Sequence, residues 1–393
     1  MVAHWRRVYE LLATAPGSEE TLALHVRACR YLVDSAAVGS GEDSARLFTE
    51  GMALAARLAD PAPRIRLLNV YANSLTFAGQ VEEAERHFRE SLRLADQSGD
   101  AFLRFLARVP LSRALGIIGR LHEALATSEE AASLGRDRPE LANESGLSPY
   151  GLLLVLQGNT LAYLGRLADG VRVLEQAMKP ARERGETDLV AFAHVCHVLL
   201  CDFRGEATQA LVHGRRAVEV AEAGASKWLR ALARSALGHA YVANRQWEQA
   251  IEALAGVSAA IRAWQVPPLV ESHTDALLAE AHLGAGDAAA ALATAEVAIE
   301  IARRLHRPLA EIRAHLARAR ALLAAGDRDA APNVRAALDA ASALVQTTGA
   351  KSFAPFVHAE RAELANLVGD SAGRDRERRE AQELFNEIGA RGR

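Results

Sequence analysis

The stretch RSALGHAYVANRQWEQAIEAL, from Arg234 to Leu254, decides the fold because the rest of the chain repeats looser versions of it. Its first half carries the pattern Leu-Gly-x-x-Tyr, which ends at Tyr241. Its second half carries Ala250 and Leu254, which are four residues apart and therefore share one helical face. A short polar segment separates the halves. The pattern predicts two antiparallel helices joined by a tight turn.

The turn between the two halves recurs along the chain at a nearly constant spacing. The steps between successive turns are 40, 46, 40, 40, 41, 40 and 43 residues. Glycine suits this position because it accepts the positive φ that ends a helix without steric cost. The spacing predicts an array of helix pairs. Compared with a helix-pair repeat of about 34 residues, each helix is about one turn longer. The turn residues are Gly79, Gly119, Gly165, Gly205, Arg245, Gly286, Gly326 and Gly369.

A small residue recurs at one position of each second helix, where it lets the two helices of a pair approach closely. The residues at this position are Ala84, Ala124, Gly170, Ala210, Ala250, Ala291 and Ala331. Together with the Leu-Gly-x-x-Tyr pattern, this alanine resembles the tetratricopeptide repeat. The resemblance implies an all-α, right-handed α-solenoid of about nine antiparallel helix pairs.

One long interruption breaks the array. The segment is polar, contains Pro139 and ends at Pro149, and it accounts for the step of 46 residues. It is either a simple insertion or a hinge between two arms. The predicted organisation is a lead-in helix at 1–18, a first arm of repeats at 19–135, the insertion or hinge at 136–149, and a second arm with a C-terminal capping helix at 150–393.

Composition and charge exclude several classes of function. Half of the 393 residues are hydrophobic, only 5% are aromatic, and the formal net charge is −3. Nearly balanced charge gives no long-range field that would attract nucleic acid or an anionic membrane. Three cysteines are too few for a disulfide framework, and no run approaches the roughly twenty apolar residues of a membrane helix. We therefore expect a soluble cytoplasmic protein that binds neither nucleic acid nor membrane.

The pattern around His194, His197 and Cys201 is the richest candidate for metal chemistry. The three residues share one face of a first helix at a spacing that could present ligands to a soft metal. In the repeat register, however, they occupy the packed face, which favours a buried structural role. Metal binding remains the alternative.

Catalytic motifs are missing from the sequence. It has neither a Gly-x-Ser-x-Gly nucleophile elbow nor a Gly-x-x-x-x-Gly-Lys-Ser/Thr phosphate loop. The acidic residues lie in patterns typical of solvated helix faces. We expect no enzymatic activity and no cofactor.

The concave groove is the preferred binding site, since the first helices of stacked pairs line it. The five predicted groove residues that come first in the chain would form a basic, amide-rich stripe suited to a carboxylate or a peptide backbone. They are Arg66, Asn69, Asn73, Arg113 and Asn159. A merely solvated concave face is the alternative. Assigning the same register positions to every pair predicts the groove residues Arg66, Asn69, Asn73, Arg113, Asn159, Phe192, His239, His273, Glu280, Arg320 and Glu363.

Both ends of the chain resemble a narrower group of proteins. Residues 4–18, from His4-Trp5 to Gly17-Ser18, and the closing residues 379–390 are similar to the helical C-terminal region of bacterial ATPase-containing LuxR-type regulators and of adenylate or guanylate cyclases. The resemblance implies a bacterial regulatory arm. Because no cyclase domain, nucleotide-binding loop or helix-turn-helix domain is present in the sequence, those activities are not carried over.

The sequence thus predicts a scaffold that binds a peptide or protein partner in signal transduction. The alternative is a small-ligand sensor arm that regulates an attached or separate ATPase, cyclase or transcription activator. An ATPase or cyclase domain encoded upstream would be a further partner.

Overall fold

The computed structural model describes residues 2–14, 17–36, 41–135, 148–264, 270–326 and 328–390. These residues form helices and no strand. The helices are α1 (Val2–Leu12), α2 (Glu19–Ala36), α3 (Gly41–Ala55), α4 (Ala62–Phe77), α5 (Val81–Ser98), α6 (Ala101–Ile117), α7 (Leu121–Gly135), α8 (Pro149–Tyr163), α9 (Leu167–Glu183), α10 (Thr187–Arg204), α11 (Ala207–Glu222), α12 (Lys227–Ala243), α13 (Trp247–Trp264), α14 (Glu271–Gly284), α15 (Ala288–Arg304), α16 (Pro308–Ala324), α17 (Ala331–Thr348), α18 (Ala354–Val368) and α19 (Ser371–Glu387).

The predicted all-α solenoid of nine helix pairs is confirmed. After the lead-in helix α1, the helices pair from α2 with α3 to α18 with α19. Each first helix also packs against the first helices of neighbouring pairs, as α10 does against α8 and α12. None of the described helices is long and apolar enough to cross a membrane.

The turns inside the pairs adopt the geometry that their spacing predicts. All seven glycines at the predicted turn positions have positive φ, and Arg245 replaces glycine with a φ of 56°. At each turn where the following residue is described, that residue donates its amide to a carbonyl five residues back, as Gln246 does to Tyr241 O at 3.0 Å. This bond satisfies a carbonyl that the end of the helix would otherwise leave unpaired. At the one turn without glycine, Asn244 Nδ2 also donates to Ala207 O at 2.6 Å and Ala240 O at 2.8 Å.

Close contact inside the pairs explains the small residues of the opening motif. A β-carbon on Gly238 would lie 2.5 Å from Leu254 Cδ2 and 2.6 Å from its Cγ. Ala250 is fully buried beside them in the same pair. In the fourth pair glycine occupies both helices, and a β-carbon on Gly158 would lie 3.3 Å from Gly170 O.

The solenoid closes on itself, because the second, third and fourth pairs each touch a region about five pairs further along. A β-carbon on Gly119 would lie 2.5 Å from Pro308 Cγ and 2.7 Å from Thr348 Cγ2. Near the next turn between paired helices, at Gly165, Ser352 Oγ donates to Ala162 O at 2.5 Å in a fully buried contact. We call this line of contacts between early and late pairs the seam.

The predicted boundary at 136–149 falls mostly outside the described residues, because the structure describes only its last two positions. The helices on either side share one hydrophobic core, in which Leu121 and Leu125 of α7 lie in the same cluster as Leu154 of α8. The same cluster includes Ile388 after α19, across the seam. The division into two arms stays a prediction.

Adding a methyl group at Gly238 should destabilise the protein by about 1–3 kcal/mol, because Leu254 already fills the space that a β-carbon needs. The matched control is Gly256→Ala in α13, where a β-carbon meets nothing within 4 Å. That control should stabilise the protein by about 0.5–1 kcal/mol through the higher helix propensity of alanine. Urea unfolding followed by far-ultraviolet circular dichroism checks both variants. Equal midpoints for the two would contradict the close packing at Gly238.

Candidate binding channel

The first helices of the pairs surround a central cavity of about 190 Å³, which we call the channel. Residues of α4, α6, α8, α10, α12, α14 and α16 or of their N-caps line it. Its wall is largely apolar and includes the aromatic side chains of Phe77, Tyr163, Phe192 and Trp228. A concave, mostly apolar site with a few polar groups is the usual form of a ligand pocket.

The channel meets successive first helices at earlier and earlier positions. Its first lining residue is the sixteenth of α4, the twelfth of α6, the eighth of α8, the sixth of α10 and the second of α12. In α14 and α16 the first lining residue is the N-cap, Val270 and Arg307 respectively. Neighbouring first helices are therefore staggered along the solenoid axis, and the channel crosses them at one level.

Five of the eleven predicted groove residues line the channel, and the structure brings them together from α6, α8, α10, α12 and α14. They are Arg113, Asn159, Phe192, His239 and His273.

Three predicted residues of α4 lie away from this cavity. Asn69 is 7% exposed and is used inside the fold, where it accepts from Ser91 Oγ at 2.7 Å and donates to Leu106 O at 3.3 Å. Arg66 lines a separate hollow of about 440 Å³ between α2 and α4. Asn73 is half-buried on α4 and is not among the residues that line either hollow.

The last three predicted residues take part in ion pairs. Glu280 contacts Arg313 Nη1 at 3.2 Å and Arg320 Nη1 at 3.5 Å, and Arg320 Nε donates to Glu360 Oε1 at 2.6 Å. Glu363 is exposed and lies 3.2 Å from Arg378 Nη2. Counting the same register position in every pair missed the stagger, which moves these late positions of α14, α16 and α18 out of the level of the channel.

The ion pairs extend inward to form a buried charge chain. Asp202 Oδ2 accepts from Arg313 Nη2 at 3.0 Å and lies 2.9 Å from His239 Nε2, although the histidine contact is not aligned for a hydrogen bond. Burial alone would lower the pKa of Arg313, but Glu280 and Asp202 raise it above its ordinary value. The chain links α10, α12, α14, α16 and α18, so the arginines within it have carboxylate partners.

Two arginines in the channel have no such partner. No carboxylate of the described residues lies within ion-pair distance of Arg113 or Arg307. Arg113 lies over the ring of Phe77, with 5.1 Å from its Cζ to the ring centroid. Burial lowers the pKa of Arg307 to about 10 and also lowers the pKa of Arg113, which the attraction of Asp34 partly offsets. An arginine side chain carries a positive charge at neutral pH.

Sequence reasoning missed Arg307, Tyr163 and Trp228 as channel residues. Arg307 stands directly before Pro308, and proline in the first turn marks the start of a helix. That signal locates the residue on α16, but only the stagger brings the start of α16 to the level of the late residues of α6. Burial raises the pKa of Tyr163 to about 12, so its hydroxyl is neutral.

The residues first considered for metal binding separate into two contacts. His194 Nδ1 lies 2.9 Å from His213 Nδ1, and the ring of His197 stacks on His213 with centroids 4.4 Å apart. Cys201 instead packs in a cluster with Ala236. Burial, reinforced by His213, lowers the pKa values of His194 and His197 to about 3, and burial raises that of Cys201 to about 12. These groups are thus neutral packing elements at pH 7.

A different group of possible metal ligands lies near the N-terminus. The candidate ligand atoms of His25, Cys29 and Glu50 all lie within 4.8 Å of one another. Glu50 already accepts from Tyr9 OH at 2.6 Å and from Arg46 Nη1 at 3.4 Å. Burial raises the pKa of the Cys29 thiol to about 12. A neutral thiol beside an arginine-bound carboxylate fits ordinary packing better than a cation site.

Comparison with known proteins supports the fold. No family model matches this sequence, and no curated protein is similar to it at a level that would show a relationship. Solved structures do match. A Rap protein complexed with Competence and Sporulation Factor has a TM-score of 0.68 at 12% identity, over 94% of this chain and 99% of that chain. NprR in complex with its cognate peptide NprX has a TM-score of 0.59 at 13% identity, over 92% and 99%.

A third similar structure is a signal transduction ATPase with a tetratricopeptide repeat sensor from Pyrococcus horikoshii. It has a TM-score of 0.53 at 13% identity, and the match covers 95% of this chain but 53% of that one. At these identities the likeness concerns the fold alone. This chain has a tetratricopeptide-type helical-repeat fold.

The histidine cluster predicts how stability responds to acid. A histidine whose pKa is lower in the folded state takes up its proton more readily when unfolded, so acidification below about pH 6.5 favours unfolding. The free energy of unfolding should fall by up to about 1.4 kcal/mol per pH unit for each such histidine. His197→Phe keeps an aromatic ring against His213 and removes one proton site. Its urea midpoint should fall less steeply than that of the wild type from pH 6.5 to 4.5, with pH 7.5 as the reference. Parallel curves would show that His197 does not titrate on unfolding.

Proposed function

We propose that this protein is a non-enzymatic regulatory scaffold whose channel binds a peptide of a signalling partner. The observation that carries the proposal is a cavity lined by the first helices of seven pairs, with a largely apolar wall and polar atoms that have no hydrogen-bond partner among the described residues. Apolar surface supplies affinity and a few oriented polar groups supply specificity.

Asn159 is suited to hold a peptide backbone. It is half-buried in the channel wall, and its side chain makes no hydrogen bond with the described residues. Its amide can accept from a peptide N–H and donate to a peptide carbonyl at the same time. Phe192 and Trp228, whose ring centroids are 6.1 Å apart, offer an aromatic wall for an apolar side chain.

The solved structures support a peptide ligand by analogy of fold. The Rap protein is complexed with Competence and Sporulation Factor, and NprR is in complex with its cognate peptide. Both matches span nearly the whole of this chain and nearly the whole of the other protein. Because a fold hosts many functions, the channel residues rather than the likeness must carry the proposal.

The second candidate is a small-ligand sensor arm, which would regulate an attached or separate ATPase, cyclase or transcription activator. A volume of about 190 Å³ favours it, since this space suits one small molecule or the end of a peptide rather than a long segment. The ATPase with a tetratricopeptide repeat sensor offers the analogy of fold. A metabolite that raises the unfolding temperature in proportion to the logarithm of its concentration would favour this candidate.

A selection experiment tests the peptide function. A displayed library of random octapeptides is selected on the wild-type protein, and the enriched peptides are measured by fluorescence anisotropy. Asn159→Ala should weaken binding by about tenfold, which corresponds to the loss of one or two hydrogen bonds. Because Asn159 makes no side-chain hydrogen bond with the described residues, this change should leave the unfolding temperature nearly unaltered.

The matched control is Asn386→Ala on the exposed face of α19, away from the channel. It should bind the enriched peptides as the wild type does. A library that yields no enriched sequence, or peptides that bind both variants equally well, would contradict a peptide site in the channel.

A further inference from the structure

The channel contains two guanidinium groups with unsatisfied donors. Arg113 Nε and Arg307 Nη1 are shielded from water and have no hydrogen-bond partner among the described residues. Both side chains line the same cavity. A buried donor without a partner, and more so a buried charge without a counterion, is costly in free energy and calls for an explanation.

Both arginines come from segments that lie at or near the seam. Pro308, which follows Arg307, packs on Gly119 at the end of the third pair's first helix. Arg113 lies six residues before Gly119 in the chain, which is about 9 Å along a helix. Both side chains therefore line the channel from segments that meet at this contact between an early and a late pair.

The start of α16 adds further positive potential at the same place. Leu309 and Ala310, in its first turn, line the channel beside the N-cap residue Arg307. The first backbone N–H groups of a helix have no partner within the helix, and the helix dipole is positive at this end. Anions bind at such positions.

Other arginines inside the solenoid have carboxylate partners. Arg313 pairs with Asp202 and Glu280, although its buried Nε makes no hydrogen bond, and Arg320 pairs with Glu280 and Glu360. The fold therefore supplies carboxylates to interior arginines elsewhere but not to Arg307.

Asp34 on α2 is the acid that acts on Arg113 electrostatically. No ion-pair contact joins the two residues, and the Asp34 side chain remains exposed to water. Crowding by the surrounding protein raises the pKa of Asp34, which the attraction of Arg113 and Arg30 offsets only in part. Asp34 thus moderates the positive potential at Arg113 and does not reach Arg307.

We propose that the ligand of the channel presents one carboxylate, and that this carboxylate binds between Arg113 and Arg307. The inference rests on the proposed peptide function and specifies its chemistry. The carboxylate is either the free C-terminus of the peptide or an Asp or Glu side chain near its end. The apolar wall then receives the neighbouring side chain.

The first experiment uses the protein without ligand. Arg307→Gln removes a charge that has no counterion, so its unfolding temperature should equal or exceed that of the wild type. Arg313→Gln is the contrast, since it breaks two ion pairs and should lower the unfolding temperature by at least about 2 °C. If Arg307→Gln loses as much stability as Arg313→Gln, Arg307 has a partner within the protein and the proposal fails.

The second experiment uses the enriched octapeptides from the library, each made with a free and with an amidated C-terminus. Arg113→Gln and Arg307→Gln should each weaken binding of the free-acid peptides by about tenfold or more, because each removes a charge-assisted hydrogen bond. Amidation should have a similar effect if the C-terminus is the anion. If the anion is a side chain, Asp→Asn or Glu→Gln in the peptide should have that effect instead.

The outcomes separate this inference from the function on which it rests. Enriched peptides could bind tightly to both arginine variants, with no loss of affinity on amidation or on acid-to-amide changes in the peptide. That result would support the peptide function and overturn the carboxylate site. A library without any enriched sequence would overturn the peptide function itself. The control Arg378→Gln, on the exposed surface of α19, should bind as the wild type does.

Discussion

The contact of Gly119 with Pro308 is the constraint on which the interior depends. It joins the third pair to the start of the eighth, and it leaves no room for a side chain at residue 119. An open solenoid would expose its first helices to water along a broad concave face. Because early pairs touch late pairs, the first helices of this chain instead line a narrower channel.

Closure of the solenoid explains why the interior charges are organised as they are. In an open groove, water would screen Asp202, Arg313 and Glu280, and their pairing would matter little. In the buried interior each ionised group needs a counterion or hydrogen bonds. The buried charge chain meets that need with ion pairs between 2.6 and 3.5 Å long. Arg113 and Arg307 differ from these groups, since neither has a carboxylate of the described residues within ion-pair distance and only Arg113 is influenced by an acid, Asp34.

The sequence predicted the local geometry well, because that geometry depends on residues close together in the chain. Glycine at 79 and alanine at 84 define a left-handed turn and a close helix contact that recur with the period of 40 residues. Even Arg245, where glycine is replaced, keeps the positive φ that its position requires. Turn chemistry and helix periodicity are short-range properties, so one sequence contains them fully.

The channel could be predicted only in part, because its position depends on a small stagger that adds up over many pairs. A groove drawn through equivalent positions includes Arg113 and Asn159 in neighbouring pairs, where the accumulated stagger is small. Several pairs later the same positions are Glu280 and Arg320, which lie in the buried charge chain. Arg307, at the start of α16, takes their place at the level of the channel. No pattern within one repeat encodes the amount of this stagger.

The same accumulation suggests how a ligand in the channel would influence the whole molecule. Each helix pair contacts its neighbours with nearly the same geometry, so a small change per pair becomes a large displacement between the third and the eighth. A group held by both Arg113 and Arg307 would favour the arrangement in which these pairs touch, since only that arrangement offers both arginines at once. A ligand shifts a conformational equilibrium only by its differential affinity for the two states. Because Arg113 and Arg307 belong to pairs that touch across the seam, a ligand that contacts both would have such a differential affinity.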